Sequence, residues 1–338
     1  AGDIVAIAGL DDIYVGETIC KEGLEEALPL IKVSEPTVQM NFGTNTSPFA
    51  GKEGQFVTGR KIEERLFRET QRDVSLRINR VDNKEEWIVS GRGELHLSIL
   101  IENLRREGFE FQVSRPRVIL KEIDGVINEP YEYVQVDVPD EYIGSAIEMF
   151  GNRRGNLEGM NSKDGQTRLI YTIPSKGLIG FMTDFLTATH GYGIINHTFL
   201  EYRPVQPDVF MGRKLGVLVS INQGMATTYA CGGVEDRGEL LIEPGIMVYE
   251  GMIVGICNRE EDLAVNITRE KQMTNQRSAT KDSTIVLKKP RVFSLENYLS
   301  FIDEDELVEV TPNSIRLRKM ILDTVERKKY DSTKLKKH

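Results

Sequence analysis

A chain of 338 residues, 40% hydrophobic and 28% charged, has room for two or three globular domains, and its charge of −9 argues against a uniformly basic nucleic-acid binder. Charges interrupt every apolar run well before about 18 residues, which excludes a membrane-spanning helix. Cys20, Cys231 and Cys257 are far apart and odd in number, and His96, His190, His197 and His338 have no metal-ligand spacing, which argues against a disulfide framework and a zinc site; a reducing, cytoplasmic setting fits.

The opening AGDIVAIAGL has no basic n-region and reads as a strand joined in mid-domain, as in a fragment. Residues 1–33 alternate Ile4, Ala6 and Ala8 against Val5 and Ile7, the pattern of strands covered on both faces in a small barrel. From 37 to 113 the order is strand, helix, strand, strand, helix, strand. TVQMNF is followed by the Gly/Pro/Ser-rich loop GTNTSPFAGKEG and a helix near 58–71. VSLRINRV and EWIVSG form a hairpin with Asp82-Asn83 near its turn. A second helix starts near Glu94, carries Leu97, Leu100, Ile101 and Leu104 on one face, and stops at Gly108. Residues 130–202 repeat this order, with Ile143, Ala146, Ile147 and Phe150 on one helix and Leu178, Phe181, Met182 and Phe185 on the other. Both segments follow the split βαβ pattern of ferredoxin-like domains.

Beyond Pro204 short apolar runs are punctuated by glycines, which predicts a β-rich domain. The stretch 259–282 is polar and weakly periodic, which predicts a long surface loop. Ser294 is placed to cap a short helix through Phe301, and the acidic run Asp303 to Glu306 reads as a solvated turn. Charge is uneven along the chain. Residues 1–205 hold 23 Lys and Arg against 32 Asp and Glu, whereas 266–291 hold seven basic residues against two acidic. Local basic patches of this kind can contact phosphates in a chain that is acidic overall.

Four segments carry a family resemblance. GRGELHLSILIENLRREGFEFQVSRPRVILKE at 91–122 resembles the third domain of elongation-factor-G-like translational GTPases, and NEPYEYVQVDVPDEYIGSAIEMFGNRRGNLEGM at 128–160 resembles their fifth. NFGTNTSPFAGKEGQFVTGRKIEERL and SKGLIGFMTDFLTATHGYGIINHTF resemble the TypA/BipA branch. The gap from Lys121 to Tyr131 leaves no room for the fourth domain of elongation factor G. The resemblance covers essentially the whole chain. It implies an α+β fold of two tandem ferredoxin-like split βαβ domains, preceded by the end of a β-barrel and followed by a β-rich C-terminal domain. The boundaries it implies are 1–33, 34–124, 125–204 and 205–338.

The functional expectations follow from the same resemblance. The chain is expected to be the ribosome-binding, rRNA- and tRNA-contacting part of a TypA/BipA GTPase, cytoplasmic and ribosome-associated, acting in large-subunit assembly and in translation under stress. Its partners would be rRNA and proteins near the factor site of the large subunit, and the acceptor end of A-site tRNA. No GxxxxGK[ST] or NKxD segment is present: GKEG at 51–54 has the wrong spacing, and Asn83-Lys84 is followed by two glutamates. GTP and Mg would therefore belong to a preceding domain, and no catalytic or metal residue is expected here.

The candidate RNA contacts are Arg269, Lys271, Asn275, Gln276, Arg277 and Lys281 in the polar loop, Arg153 and Arg154 after a helix, and Lys52 in the Gly-rich loop. Arginine suits bidentate phosphate recognition, and mixed Asn, Gln and Thr add donors for 2′-hydroxyls and bases. Each also has a plainer reading. Arg153 and Arg154 can simply complement a helix C-terminus, Lys52 can be an exposed lysine, and the polar loop can be solvated. Glu94 reads as a complement to its own helix N-terminus, and His96 has no identifiable acid partner. Two alternatives stay open: a protein-interaction scaffold that does not bind RNA, and an acylphosphatase-like enzyme, for which VPDEYIG lacks the required arginine.

Overall fold

The computed structural model describes residues 2–9, 16–29, 35–206, 213–271 and 286–335. The first ferredoxin-like unit runs β1 (Val38–Gly43), α1 (Gly59–Arg72), β2 (Arg77–Arg80), β3 (Glu86–Gly91), α2 (Glu94–Arg106) and β4 (Phe111–Val113). Its strands lie in the order β4-β1-β3-β2, all pairs antiparallel. Alternation along β1 buries Val38, Met40 and Phe42. Leu97, Leu100, Ile101 and Leu104 of α2 are buried as their spacing predicts. Gly108, at φ +94°, ends that helix: its N–H donates to Arg105 O at 3.1 Å, and Phe109 N–H donates to Leu104 O at 3.1 Å. This pair of bonds is the Schellman stop, which needs the left-handed conformation that glycine adopts without strain.

Short β5 (Arg117–Val118) and β6 (Lys121–Ile123) lead into the second unit. It comprises β7 (Val126–Pro139), α3 (Ile143–Asn152), β8 (Asn156–Lys163), β9 (Gln166–Pro174), α4 (Phe181–Ala188) and β10 (Ile194–Pro204), in the order β10-β7-β9-β8. Val134, Val136 and Val138 face Ala146, Phe150, Phe181 and Phe185 in a core of its own. Phe150 stacks on Tyr171 with centroids 4.4 Å apart. The apolar face of α3 is narrower than its spacing predicts, since Ile147 is exposed while Ala146 and Phe150 are buried. Leu178 belongs to a 3-10 turn ahead of α4 rather than to the helix.

The remaining elements are β11 (Val217–Ser220), β12 (Gly224–Met225), α5 (Thr228–Glu235), β13 (Gly238–Leu240), β14 (Met247–Val248), β15 (Met252–Cys257), β16 (Leu263–Val265), α6 (Leu295–Phe301), β17 (Glu306–Val310), β18 (Ile315–Lys319) and α7 (Thr324–Leu335). Ser294 caps α6 as expected, accepting from Asn297 N–H at 3.3 Å. β17 pairs with β4 of the first unit, Val308 opposite Val113 and Val310 opposite Phe111. The first unit and the C-terminal region thus share one eleven-stranded sheet. They also share one core, in which Phe111 and Val113 join Val217, Leu299, Val308 and Leu317.

Three further expectations change. Among the described residues of 1–33 there is no strand, only an isolated bridge between Lys21 and Leu24, and Ile4, Val5 and Ile7 are exposed. A barrel strand needs a neighbour on each side, and these residues have none here. The polar stretch 259–282 begins with an ordered strand, β16, parallel to β11, and only residues beyond 271 fall outside the described part. The acidic run at 303–306 is not a solvated turn. Glu306 is fully buried between Arg213 and Lys319, Asp305 pairs with Lys319 at 2.8 Å, and Asp303 with Arg115 at 3.2 Å.

Candidate functional site

The polar loop of the C-terminal region is rooted by packing. Ile267 is fully buried, and its carbonyl accepts Thr227 N–H at 3.1 Å. Asn266 Oδ1 accepts both the N–H and the hydroxyl of Thr268 at 3.1 Å, an Asx turn that aims the chain outward. The Thr227 hydroxyl accepts from Ala230 N–H to cap α5 and donates to Arg269 O at 2.5 Å. Arg269 and Lys271 are exposed at the point where the loop leaves this root. Asn275, Gln276, Arg277 and Lys281 lie outside the described residues.

Arg153 and Arg154 sit on the second unit and differ in what they touch. Arg153 donates to Ile179 O at 3.0 Å, lies 5.9 Å from the Phe181 ring centroid and approaches Asp184 at 3.6 Å. It straps the end of α3 to the turn before α4. Arg154, at φ +60°, is exposed and reaches Gln206 Oε1 at 3.4 Å. Of the two, Arg154 presents the more accessible guanidinium.

Lys52 stands over the Phe49 ring at 4.3 Å, at the mouth of a cleft of about 540 Å³ between the Gly-rich loop and the C-terminal region. The loop itself is clasped from within. The buried Glu110 carboxylate accepts from Asn45 Nδ2 at 2.8 Å, Gly51 N–H at 2.7 Å and Gly54 N–H at 2.8 Å. A Cβ on Gly54 would stand 2.3 Å from Glu110 Cβ, so the close approach requires glycine there. Arg316 bridges Glu53 and Glu309, Tyr249 donates to Glu309 at 2.7 Å, and Arg318 donates to Thr46 at 2.6 Å and to Gln112. Glu110, Glu309, Arg316 and Arg318 escaped the sequence reading. For Arg316 and Arg318 the signal was the alternation in IRLRK, which sets both on one face that would ordinarily be solvated.

A second cleft, of about 710 Å³, opens where the two units meet. Glu94 stands in the first turn of α2, as expected, and also reaches beyond its own helix. Its Oε2 crosses to accept Gly180 N–H of the second unit at 2.6 Å, and its Oε1 is enclosed without a hydrogen bond. Burial pushes this carboxyl up to about 7, against the Gly180 N–H; nearby Glu296 adds to the rise and Arg153 opposes it. Gly180, at φ +69°, is also pressed by α6: a Cβ there would meet Ser300 Cβ at 2.7 Å. His96 does have an acid partner, Asp73, at 2.7 Å. His197 pairs with the buried Glu132, whose hydrogen bond holds the imidazole above its ordinary value against the pull of burial. The sequence reading missed this junction because it joins residues 86 positions apart.

The chain matches three family descriptions in order: Elongation Factor G, domain III, over residues 57–115; Elongation factor G C-terminus over 126–212; and TypA/BipA C-terminal domain over 215–324. It is 57% identical over 330 residues to the large ribosomal subunit assembly factor BipA of Bacillus subtilis, covering 97% of this chain and 54% of that protein. The proteins of the same name from Synechocystis and Haemophilus influenzae are 52% and 51% identical, over 95% and 98% of this chain and 54% of each relative. The chain therefore spans about half the length of these relatives. With three ordered matches and identity above one half along nearly its whole length, the chain belongs to the TypA/BipA family.

Proposed function

We propose that this chain is the ribosome-facing part of a large-subunit assembly factor and that it contacts rRNA and the acceptor end of A-site tRNA. The observation that carries the reading is the high identity, over nearly the whole chain, to proteins named large ribosomal subunit assembly factor. The local sign reversal of charge supports a direct RNA contact. Arg269 and Lys271 emerge exposed from a root fixed by Ile267, and Arg154 adds an accessible guanidinium on the second unit. A root fixed by packing under a basic loop suits phosphate contact, because it sets where the basic residues leave the surface. A role in translation under stress belongs to the same proposal, as does a cytoplasmic, ribosome-associated location.

In this reading GTP and Mg act on residues outside this sequence. The Gly-rich loop at 43–59 does not fit a phosphate: the N–H groups of Gly51 and Gly54 are turned to Glu110. Calorimetry of this chain with GTP should give no saturable heat at micromolar concentrations.

The decisive experiment is ribosome cosedimentation across a salt titration, with the wild-type chain beside one carrying Arg269→Ala, Lys271→Ala and Arg277→Ala, each alone and joined to the N-terminal half of a family member. The triple variant should bind more weakly with a shallower slope of log affinity against log salt, since each lost phosphate contact removes about 0.7–0.9 from the slope. Identical slopes and affinities would remove the loop from the proposal.

A further inference from the structure

The cleft where the two units meet is built unlike the rest of the surface. Leu95 and Ile99, one turn apart on α2, are 59% and 52% exposed, and both line it. Met182 and Leu186, one turn apart on α4, line it from the second unit, with Leu186 41% exposed. Neighbouring positions on α2 that face the core are almost completely buried, so Leu95 and Ile99 form a separate apolar row along that helix. Two apolar rows on two helices, bordering one cleft of about 710 Å³, form the trough into which the side chains of a third helix pack.

The charge around the trough is one-sided. Asp73, Glu94, Glu132 and Glu296 line it, against Arg92 and two histidines. Asp73 and Glu132 are engaged by His96 and His197. Glu94 is not fully engaged: Gly180 N–H serves one oxygen, and the other is enclosed without a hydrogen bond. An enclosed carboxylate oxygen left without a donor is costly, and a guanidinium or ammonium supplied from outside would relieve it. Acidic side chains outnumber basic ones around the trough even with two of them paired to histidines, which disfavours a phosphate backbone, and a small hydrated cation would leave the apolar rows wet. The chemistry that satisfies both features is an apolar helix face with a basic residue beside it.

We propose that this cleft docks an amphipathic α-helix of a partner protein, one that carries an arginine or lysine at the edge of its apolar stripe. Leu95, Ile99, Met182 and Leu186 receive the stripe, and Glu94 receives the cation. The inference does not depend on RNA contact by the polar loop, which lies on another part of the chain.

The test uses the 338-residue chain and a fluorescein-labelled 14-residue helical peptide with leucines at helical spacing and one arginine at the stripe's edge. Anisotropy should report saturable binding. Leu95→Asp with Leu186→Asp should weaken it at least tenfold, and because both side chains are exposed the far-ultraviolet circular dichroism should be unchanged. Glu94→Gln keeps an oxygen for Gly180 N–H and removes only the charge. It should weaken the arginine peptide several-fold and leave a norleucine version unaffected. The proposal is overturned if a scrambled peptide of the same composition binds equally well, if the double variant binds like wild type, or if an RNA oligomer displaces the peptide while unlabelled peptide does not. A double variant that keeps cosedimenting with ribosomes bears only on the polar loop, so the two readings fail separately.

Discussion

The two ferredoxin-like units have the same strand order and opposite relations to the rest of the chain. The first gives its edge strand β4 to β17 and shares its core with the C-terminal region. The second keeps its core to itself, and its pairings with the edge strands are each interrupted by a bulge, between Phe199 and Glu201 on β10 and between Leu157 and Gly159 on β8. Bulges twist an edge away from further pairing, so the second unit ends its sheet where the first extends it. One topology thus serves once as part of a larger sheet and once as a module with a core of its own. What separates the two outcomes is the edge, not the arrangement of the helices.

The largest expected effect breaks the comparison directly. Leu100→Asp places a charge in the core that the first unit shares with the C-terminal region, at a cost of several kcal/mol. Hydrogen exchange should show both regions losing protection together while the second unit keeps its own. Val136→Asp, in the second core, should do the converse. If Leu100→Asp left β15 and β17 protected, the common sheet would not be a cooperative unit.

Much of this fold was legible in the sequence, and the reason is local. The i, i+3, i+4, i+7 spacing of Leu97 to Leu104, the alternation in β7 and the stop at Gly108 are fixed by residues close in the chain. What stayed hidden was long-range. The pairing of Val308 with Val113 depends on edges that no local pattern encodes. The acidic run at 303–306 reads as surface because charges usually are exposed. Glu306 is buried only because Arg213 and Lys319 arrive from 93 and 13 residues away. The candidate RNA site divides in the same way: the composition of the polar loop marked it, but its root at Ile267 and Thr227 appears only once β16 is laid beside β11.

The next effect tests the ionic seam of the fused pair. Glu309 is fully buried and accepts from Asn45, Tyr249 and Arg316. Glu309→Ala leaves Arg316 with a single carboxylate partner and Tyr249 with none, which should cost about 3–5 kcal/mol. Chemical denaturation should show the loss in the transition of the first unit and the C-terminal region. Adding Arg316→Met should recover part of it, because the charge left behind is then removed. A double variant no more stable than the single would mean that the loss is packing rather than charge.

The smallest effect sharpens the comparison by pH. The buried pair of Glu306 and Lys319 in the fused region should not titrate between pH 5 and 8. Burial raises Glu306, but Arg213 and Lys319 more than offset it and hold it below its ordinary value, while Lys319, lowered by burial, is held far above neutrality by Glu306, Asp305 and Asp262. The junction of the two units should titrate. Burial carries Glu94 from an ordinary value of 4.5 to about 7, so between these values the folded state binds more protons than the unfolded state. Stability contributed at this carboxyl is therefore present at pH 4.5 and is lost as pH rises to 7, on the order of 1–2 kcal/mol after relaxation of the site. His197 acts in the same sense at higher pH. Its bond to Glu132 raises it above 6.5, so its contribution is complete below 6.5 and is lost as pH climbs through the raised value. Hydrogen exchange at Gly180 and along α4 should accelerate from pH 5 to 8 beyond the intrinsic base-catalysed rate, and protection across β4 and β17 should not change. Glu94→Gln should flatten the lower part of that profile and His197→Gln the upper part. If both variants kept the wild-type slope, the attachment of the second unit would owe nothing to Glu94 or His197 and would rest on apolar packing between α2 and the turn before α4.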